Sequence, residues 1–391
     1  MDTDAFAAAG QTAFSFRATT RLLVGAGRIS QLGEVSQELG GSRVLVVSDA
    51  GVIAAGHTQQ GLAALQEAGC ATEVFSNFTE NPSTTQVEAG TTCAQRFRPD
   101  LIVGLGGGSS MDCAKGINFL LCCGGQMRDY RGRGTSHLPL LPSVGCPTTA
   151  GTGSETQSFA LISDAVTGEK LACGNPAAAF RVAILDPLLT VTQPPRVTAL
   201  TGIDAISHAI ESHVSTAATP ASRLFSREAW RLLAHHLPKV LDDAGDLAAR
   251  EGVQLGAAWA GLAIENAMLG AAHALANPLT AAHGIAHGQA VGLMLPPVVR
   301  FNAGMVGEHY AELAADADIP DRSAPGLADW LEALLGRAGL NRSLLPCLTI
   351  SPETLDIDRL AAAAAEQWTG GFNPRPCTAA DFAVLYRKVM P

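Results

Sequence analysis

The stretch Leu101–Lys115, LIVGLGGGSSMDCAK, decides the reading of the chain. An apolar strand runs into Gly106, Gly107 and Gly108, then Ser109, then a helical segment carrying Asp112. Glycines let the backbone approach a ligand closely, and the free N–H groups of a helix start can hold a diphosphate. Asp112, one helical turn on, is suited to fixing the turn or meeting a ribose. The same residues also fit a plain strand-to-helix turn capped by Ser109.

Outward from this turn, short apolar runs alternate with helical stretches. Val44–Val47, Thr72–Phe75, Leu101–Val103 and Leu140–Val144 read as strands, with helices expected over Gln59–Ala68, Gln86–Phe97 and Met111–Leu121. That alternation implies a mostly parallel sheet covered by helices. Phe159–Ser163 and Leu171–Cys173, joined by Asp164–Lys170 with Gly168, read as a hairpin. Past Leu185-Asp186-Pro187 the pattern changes to long amphipathic runs such as Ser222–Leu237 and Gly252–Leu269. Pro278, Gly284, Pro296 and Pro297 are expected breaks there. The fold class expected is therefore α/β plus all-α: an N-terminal dinucleotide-binding parallel-sheet domain over 1–187, and a C-terminal helical, metal-binding domain over 188–391.

Asp49 ends the first strong strand, before the glycine turn in the chain. Both would sit at carboxyl ends of parallel strands, where such sheets bind ligands. A carboxylate there accepts from ribose hydroxyls and repels a 2′-phosphate, favouring NAD over NADP; it also reads as a simple strand-end turn residue. The segment Pro147–Glu155, PTTAGTGSE, adds a second small-residue loop with the hydroxyls of Thr148, Thr149 and Thr152.

The helical half holds a candidate metal constellation. Asp204 and His208 stand four apart, on one face of a helix. Three of the chain's ten histidines, His273, His283 and His287, fall within fifteen residues in apolar surroundings. Each alone is as readily a satisfied core histidine; together with Asp204 and His208 they point to a divalent metal. His273 and His287 cannot both ligate from one straight helix, because fourteen residues would separate them by about 21 Å. A return of the chain between Pro278 and Gly284 is required.

Composition narrows the alternatives. The chain has 391 residues, is 47% hydrophobic and 16% charged, and carries a net charge of −10. A large core is expected, and no basic face for nucleic acid. No uninterrupted apolar run of about 18 residues suggests a membrane span. Asp2 and Asp4 stand where a secretory leader would be basic, and the nine cysteines form no C-x-x-C, so a cytoplasmic chain with reduced thiols is expected.

Taken together, GGGSSMDCAK, PTTAGTGSE, GIDAISHAIE and the His273–His287 block, in that order, resemble the iron-containing (group III) alcohol dehydrogenase family. The resemblance extends from Phe16 and Gly25-Ala-Gly27 to Thr369–Arg375. It implies Asp204, His208, His273 and His287 as ligands of a divalent metal, Fe²⁺ usually and Zn²⁺ sometimes. His287 rather than His283 matches the family's last ligand, because family members carry an HG pair fourteen residues after the preceding ligand. It further implies diphosphate binding by Gly106, Gly107, Gly108 and Ser109, nicotinamide-side contacts from Thr148, Thr149 and Thr152, and NAD preference through Asp49. Many members carry a histidine four residues after the third ligand for proton relay; here that position is Asn277, an amide that cannot act as a base near neutrality. His283 is the candidate substitute.

The expected activity is hydride transfer between NAD(H) and a small alcohol or aldehyde, with the metal as Lewis acid, in a homodimer or larger homo-oligomer. Rival readings are a related NAD- and metal-using enzyme, such as a glycerol dehydrogenase or a maleylacetate reductase, and a non-catalytic nucleotide-binding sensor. A dehydroquinate-type synthase ranks below them, because residues 187–300 carry few basic side chains.

Overall fold

The computed structural model describes residues 13–16, 18–133, 139–351 and 354–390. The acidic start around Asp2 and Asp4 lies outside them. Along the chain run β1 (Arg21–Val24), α1 (Leu32–Glu38), β2 (Arg43–Val47), α2 (Ala50–Ala54), α3 (His57–Glu67), β3 (Ala71–Phe75), α4 (Thr84–Phe97), β4 (Leu101–Gly106) and α5 (Gly108–Cys123). The two-residue β5 (Gly132–Arg133), β6 (Ser143–Pro147), β7 (Phe159–Ser163), β8 (Lys170–Gly174) and β9 (Val182–Leu185) complete the strand-bearing half. The helical half comprises α6 (Pro195–Val214), α7 (Pro220–Asp242), α8 (Leu247–Ala267), α9 (Ala271–His283), α10 (His287–Asp316), α11 (Ala324–Arg337), α12 (Ile357–Ala365) and α13 (Ala379–Lys388). The expected fold class, a parallel-sheet half followed by a helical half, is the one observed.

Six strands form an all-parallel sheet in the order β1-β9-β6-β4-β2-β3. β4, β6 and β9 are buried along their whole length, as expected where helices cover both faces. From β2 the chain steps outward to β3, then crosses back to β4 on the other side. The order therefore reverses between β2 and β4, and such a switch point opens a ligand crevice at the carboxyl ends of the two strands. A smaller sheet, β5-β8-β7, contains the expected hairpin. Its turn closes through Asp164, which accepts from the N–H groups of Val166 and Thr167, and through Gly168 at φ +73°.

The strand expected over Leu140–Val144 lies three residues later. Pro142 cannot donate to a ladder, and the Leu141 N–H is engaged by the Asn118 side chain at 3.0 Å, so pairing begins at Ser143. The prolines of the helical half also behave differently from expectation. Pro278 lies inside α9, and Pro296 and Pro297 inside α10. Each removes a helical N–H, at a cost of roughly 3 kcal/mol. The segments are nevertheless held, because residues 288–299 are buried without interruption and α10 packs on α6, α9 and α11. α10 is long and apolar enough by composition to cross a membrane, but that apolar surface is directed into the core. Of the four expected breaks, Gly284 alone ends a helix, at φ +65° with its N–H on the Thr280 carbonyl. The required return is made there, between α9 and α10.

Candidate metal and nucleotide site

Asp204 and His208 project from one face of α6, His273 from the first turn of α9, and His287 is the first residue of α10. The Gly284 turn brings the last two together. Asp204 Oδ1 lies 3.4 Å from His208 Nε2, 3.4 Å from His273 Nε2 and 3.6 Å from His287 Nε2. Tetrahedral ligand atoms held at about 2.1 Å from an ion stand roughly 3.4 Å apart, so these separations fit a divalent metal. Two of the converging atoms, Asp204 Oδ1 and His273 Nε2, are buried without any hydrogen-bond partner, which a purely structural cluster would not leave unsatisfied. Asp204, His208 and His273 are buried, whereas the His287 side chain retains 34% exposure and marks the open side.

The electrostatics agree. Burial opposes ionisation of Asp204, yet His208, with His273 and His287 behind it, holds the carboxyl well below the usual range. Burial pushes His208 down, and pushes His287 down to about 3, so both present neutral imidazoles, the form that ligates. His273 is the exception: burial is outweighed by Glu211 and Asp204, which lift it to about 9.

Glu211 was not singled out from the sequence. It lies three residues after His208, on the same helix, buried, with Oε2 2.5 Å from His273 Nδ1 and Oε1 accepting the Ala272 N–H at 2.7 Å. It thus satisfies the start of α9 and fixes the His273 ring with Nε2 toward Asp204, the carboxylate–histidine–metal arrangement that orients a ligand. The available signal was a buried-type acid in helical register with a ligand pair. Glu211→Gln is expected to weaken metal binding about 10–100-fold while leaving the four ligands in place. Competition with a chromogenic chelator measures this, and an unchanged affinity removes Glu211 from that role.

The nucleotide candidates gather at the switch point. Asp49 caps α2 through the N–H groups of Gly51 and Val52, and its other oxygen accepts from Ser110 at 3.1 Å, across the gap from β2 to α5. Gly106 takes φ +154°, with its Cβ position blocked by Ser110 Cβ at 2.7 Å, so this place requires glycine. Ser109 does not cap α5: the cap is Gly107, with no side-chain bond to the first turn, while Ser109 Oγ accepts the Asn81 N–H. The helix start thus offers its N–H groups without a competing side-chain acceptor.

The threonine loop lies against this turn. A Cβ on Gly107 would stand 3.2 Å from Thr149, and one on Gly108 would stand 2.8 Å from Thr152. Thr148 is buried behind them, its N–H on the Gly106 carbonyl. On its other side the loop meets the helical half, where Gly151 packs on Thr201, three residues before Asp204. One crevice therefore joins glycine turn, threonines and ligand cluster.

Asp112 accepts from the Ser154 hydroxyl at 2.7 Å, and Lys115 Nζ donates to the Ser154 carbonyl at 2.7 Å and the Phe159 carbonyl at 2.8 Å. Of the two roles read for Asp112, fixing the turn is the one with observed geometry. The buried Lys115, pushed down to about 8 by burial against the pull of Asp112, was not anticipated as the tie between α5 and the loop. Asn277 sits one turn after His273, half-buried, its Nδ2 donating to Gln367 Oε1 at 3.0 Å. Asp204, His208 and His273 form the mutually close group, His287 approaches it through Asp204 at 3.6 Å, and His283, half-buried at the end of α9, lies outside it.

Comparison with known proteins follows the same division. Residues 19–187 match the family model for iron-containing alcohol dehydrogenase, and residues 198–390 match that for the C-terminal part of the Fe-containing alcohol dehydrogenase family. The chain is 31% identical over 371 residues to the NAD-dependent methanol dehydrogenase of Bacillus methanolicus, covering 94% of this chain and 97% of that one. It is 32% identical over 369 residues to 1,3-propanediol dehydrogenase of Klebsiella pneumoniae, covering 93% and 95%. Among solved structures, a 1,3-propanediol oxidoreductase superposes with TM-score 0.92 at 31% identity, over 97% and 100% of the two chains. A sulfoacetaldehyde reductase from Bifidobacterium kashiwanohense, in complex with NAD+, superposes with TM-score 0.88 at 27% identity, over 97% and 99%.

Proposed function

The chain belongs to the iron-containing alcohol dehydrogenase family, and from that premise we propose that it transfers hydride between NAD(H) and a small alcohol or aldehyde. The observation that carries this reading is the placement of four converging metal donors beside the threonine loop, which itself abuts the glycine turn at the sheet's switch point. Fe²⁺, or Zn²⁺, is the ion that Asp204, His208, His273 and His287 would hold, and when bound it supplies a Lewis acid for the substrate oxygen.

The remaining work falls to the chain's own groups. N–H groups of Gly108 and Ser109 at the start of α5 bind the diphosphate, and Thr148, Thr149 and Thr152 flank the nicotinamide between sheet and helices. Asp49 accepts from the adenosine ribose. Holding both partners in a buried cleft lowers the entropic part of the barrier and excludes water. Asn277, already donating to Gln367, orients rather than deprotonates, so the alcohol proton leaves by another route than the fourth residue after His273.

The test is NADH consumption across a panel of short aldehydes and ketones, with protein reconstituted anaerobically with Fe²⁺ or Zn²⁺ beside a chelated control. Turnover that appears only with metal supports the proposal. Equal turnover in the chelated sample, or NADH binding with no turnover on any carbonyl, overturns it.

Cofactor choice is tested separately with Asp49→Asn, which keeps an oxygen for the Gly51 and Val52 N–H groups but removes the charge. The NADPH-to-NADH ratio of kcat/KM is expected to rise about tenfold, the effect of losing ~1.4 kcal/mol of repulsion toward a 2′-phosphate. An unchanged ratio would show that Asp49 does not face the ribose.

A further inference from the structure

A second cluster of metal-ligating side chains lies in the helical half, outside the site described above. His213, near the end of α6, faces His309 and Glu312 of α10, and one ligand atom from each lies within 4.8 Å of the others. His213 Nε2 is 3.3 Å from Glu312 Oε2, and His309 Nδ1 is 3.9 Å from the same oxygen. These separations resemble those around Asp204, and they suit tetrahedral ligation at about 2.1 Å.

The hydrogen bonding of His213 leaves its Nε2 free to ligate. Ser226 Oγ donates to the Arg223 carbonyl at 3.2 Å, so toward His213 it is an acceptor, and the imidazole donates to it from Nδ1 at 3.1 Å. In that tautomer the proton is on Nδ1 and a lone pair is on Nε2. Nε2 is fully buried without a hydrogen-bond partner, in a side chain only 2% exposed, and it is aimed at a carboxylate oxygen. Two acceptors face each other at 3.3 Å, which is repulsive unless a cation lies between them.

The Arg223 guanidinium acts on both imidazoles, and the Glu312 carboxylate opposes it. Arg227 binds the other oxygen of Glu312 and also Asp316, while Arg223 is committed through Nε to the His213 carbonyl. Glu312 Oε2 is left facing the two imidazoles. His309 and Glu312 are each 35% exposed, so solvent reaches the cluster and water can complete the coordination.

We propose that His213, His309 and Glu312 form a second, structural site for a divalent transition-metal ion of the zinc class, with Ser226 orienting His213. Two imidazoles and one carboxylate are a recurrent protein ligand set for zinc, and the Ser226 bond supplies the outer-shell support such ligands carry. The site ties the end of α6 to the part of α10 beyond Val306, where the helix departs from helical geometry at φ −133°. Both helices also carry ligands of the first site, so the second ion braces them from the far side of that kink.

The experiment is Zn²⁺ titration of chelator-stripped full-length protein, read by native mass spectrometry and by the d–d spectrum of a parallel Co²⁺ titration. The wild-type chain is expected to take up two equivalents. His309→Ala and Glu312→Gln, both at half-exposed positions, should each take up one, with affinity at the second site falling about a hundredfold or more. Asp204→Asn should lose the other equivalent and keep this one, so failure of either site is distinguishable. A wild-type chain that binds one equivalent, or a His309→Ala chain that still binds two with an unchanged cobalt spectrum, overturns the assignment.

Discussion

His273→Ala is expected to abolish metal retention at the Asp204 cluster and lower kcat/KM for aldehyde reduction about a thousandfold or more, together. His273 is the buried candidate ligand whose Nε2 points at Asp204 and whose other nitrogen is held by Glu211. Removing it leaves three donors, and an ion that polarises the substrate oxygen contributes about 4 kcal/mol or more to the barrier. A second cost falls on the fold. Glu211 would keep only the Ala272 N–H, leaving a buried carboxylate short of a partner, a defect of roughly 3 kcal/mol. Stability must therefore be measured beside activity, and metal content must be counted in the folded fraction. Full turnover with metal retained would remove His273 from the site. Loss of activity with a full complement of metal would move it to substrate binding.

The candidate ligand set was legible because each motif is local: Asp204 and His208 share a helical face, and His273 and His287 are crowded into one short block. What joined them was legible only as a requirement. Three prolines and one glycine were all read as breaks, and only Gly284 is one. A proline costs a fixed amount wherever it falls, while the burial that opposes it depends on distant packing, and residues 288–299 of α10 are buried throughout. The same dependence on distant neighbours hid β1 and β9, which are four residues long and acquire meaning only when paired in the sheet. The switch point was equally hidden. That β2 lies between β3 and β4 is a property of strand order, and it converts Asp49 and Gly106 from two strand-end residues into the two rims of one crevice. Glu211 lay inside a quoted motif without being singled out, since its partner His273 is 62 residues away.

Gly153→Ala carries the other large expected effect, and it tests how the two halves are joined. Gly153 takes φ +62°, and its Cβ would stand 2.5 Å from Gly261 Cα and 3.0 Å from the Ala257 carbonyl, both backbone atoms of α8. Side chains can turn aside; a helix backbone must move as a unit. A left-handed alanine costs about 1 kcal/mol and the forced separation roughly 1–3 more, so a loss of about 2–4 kcal/mol is expected by denaturant unfolding. The displacement also reaches the chemistry. The same seam holds Thr156 Oγ1 on the Ala258 carbonyl, Gln254 Nε2 on the Pro147 carbonyl, and both the N–H and hydroxyl of Ser158 on Glu265. Moving α8 therefore shifts Thr148, Thr149 and Thr152 relative to Asp204. KM for NADH should rise and kcat should fall, while the metal content stays at the wild-type level because all four candidate ligands lie on α6, α9 and α10. That combination separates a displaced nucleotide loop from a damaged metal site. Unchanged stability with unchanged kinetics would show that the seam yields freely, and that the loop's position does not depend on α8.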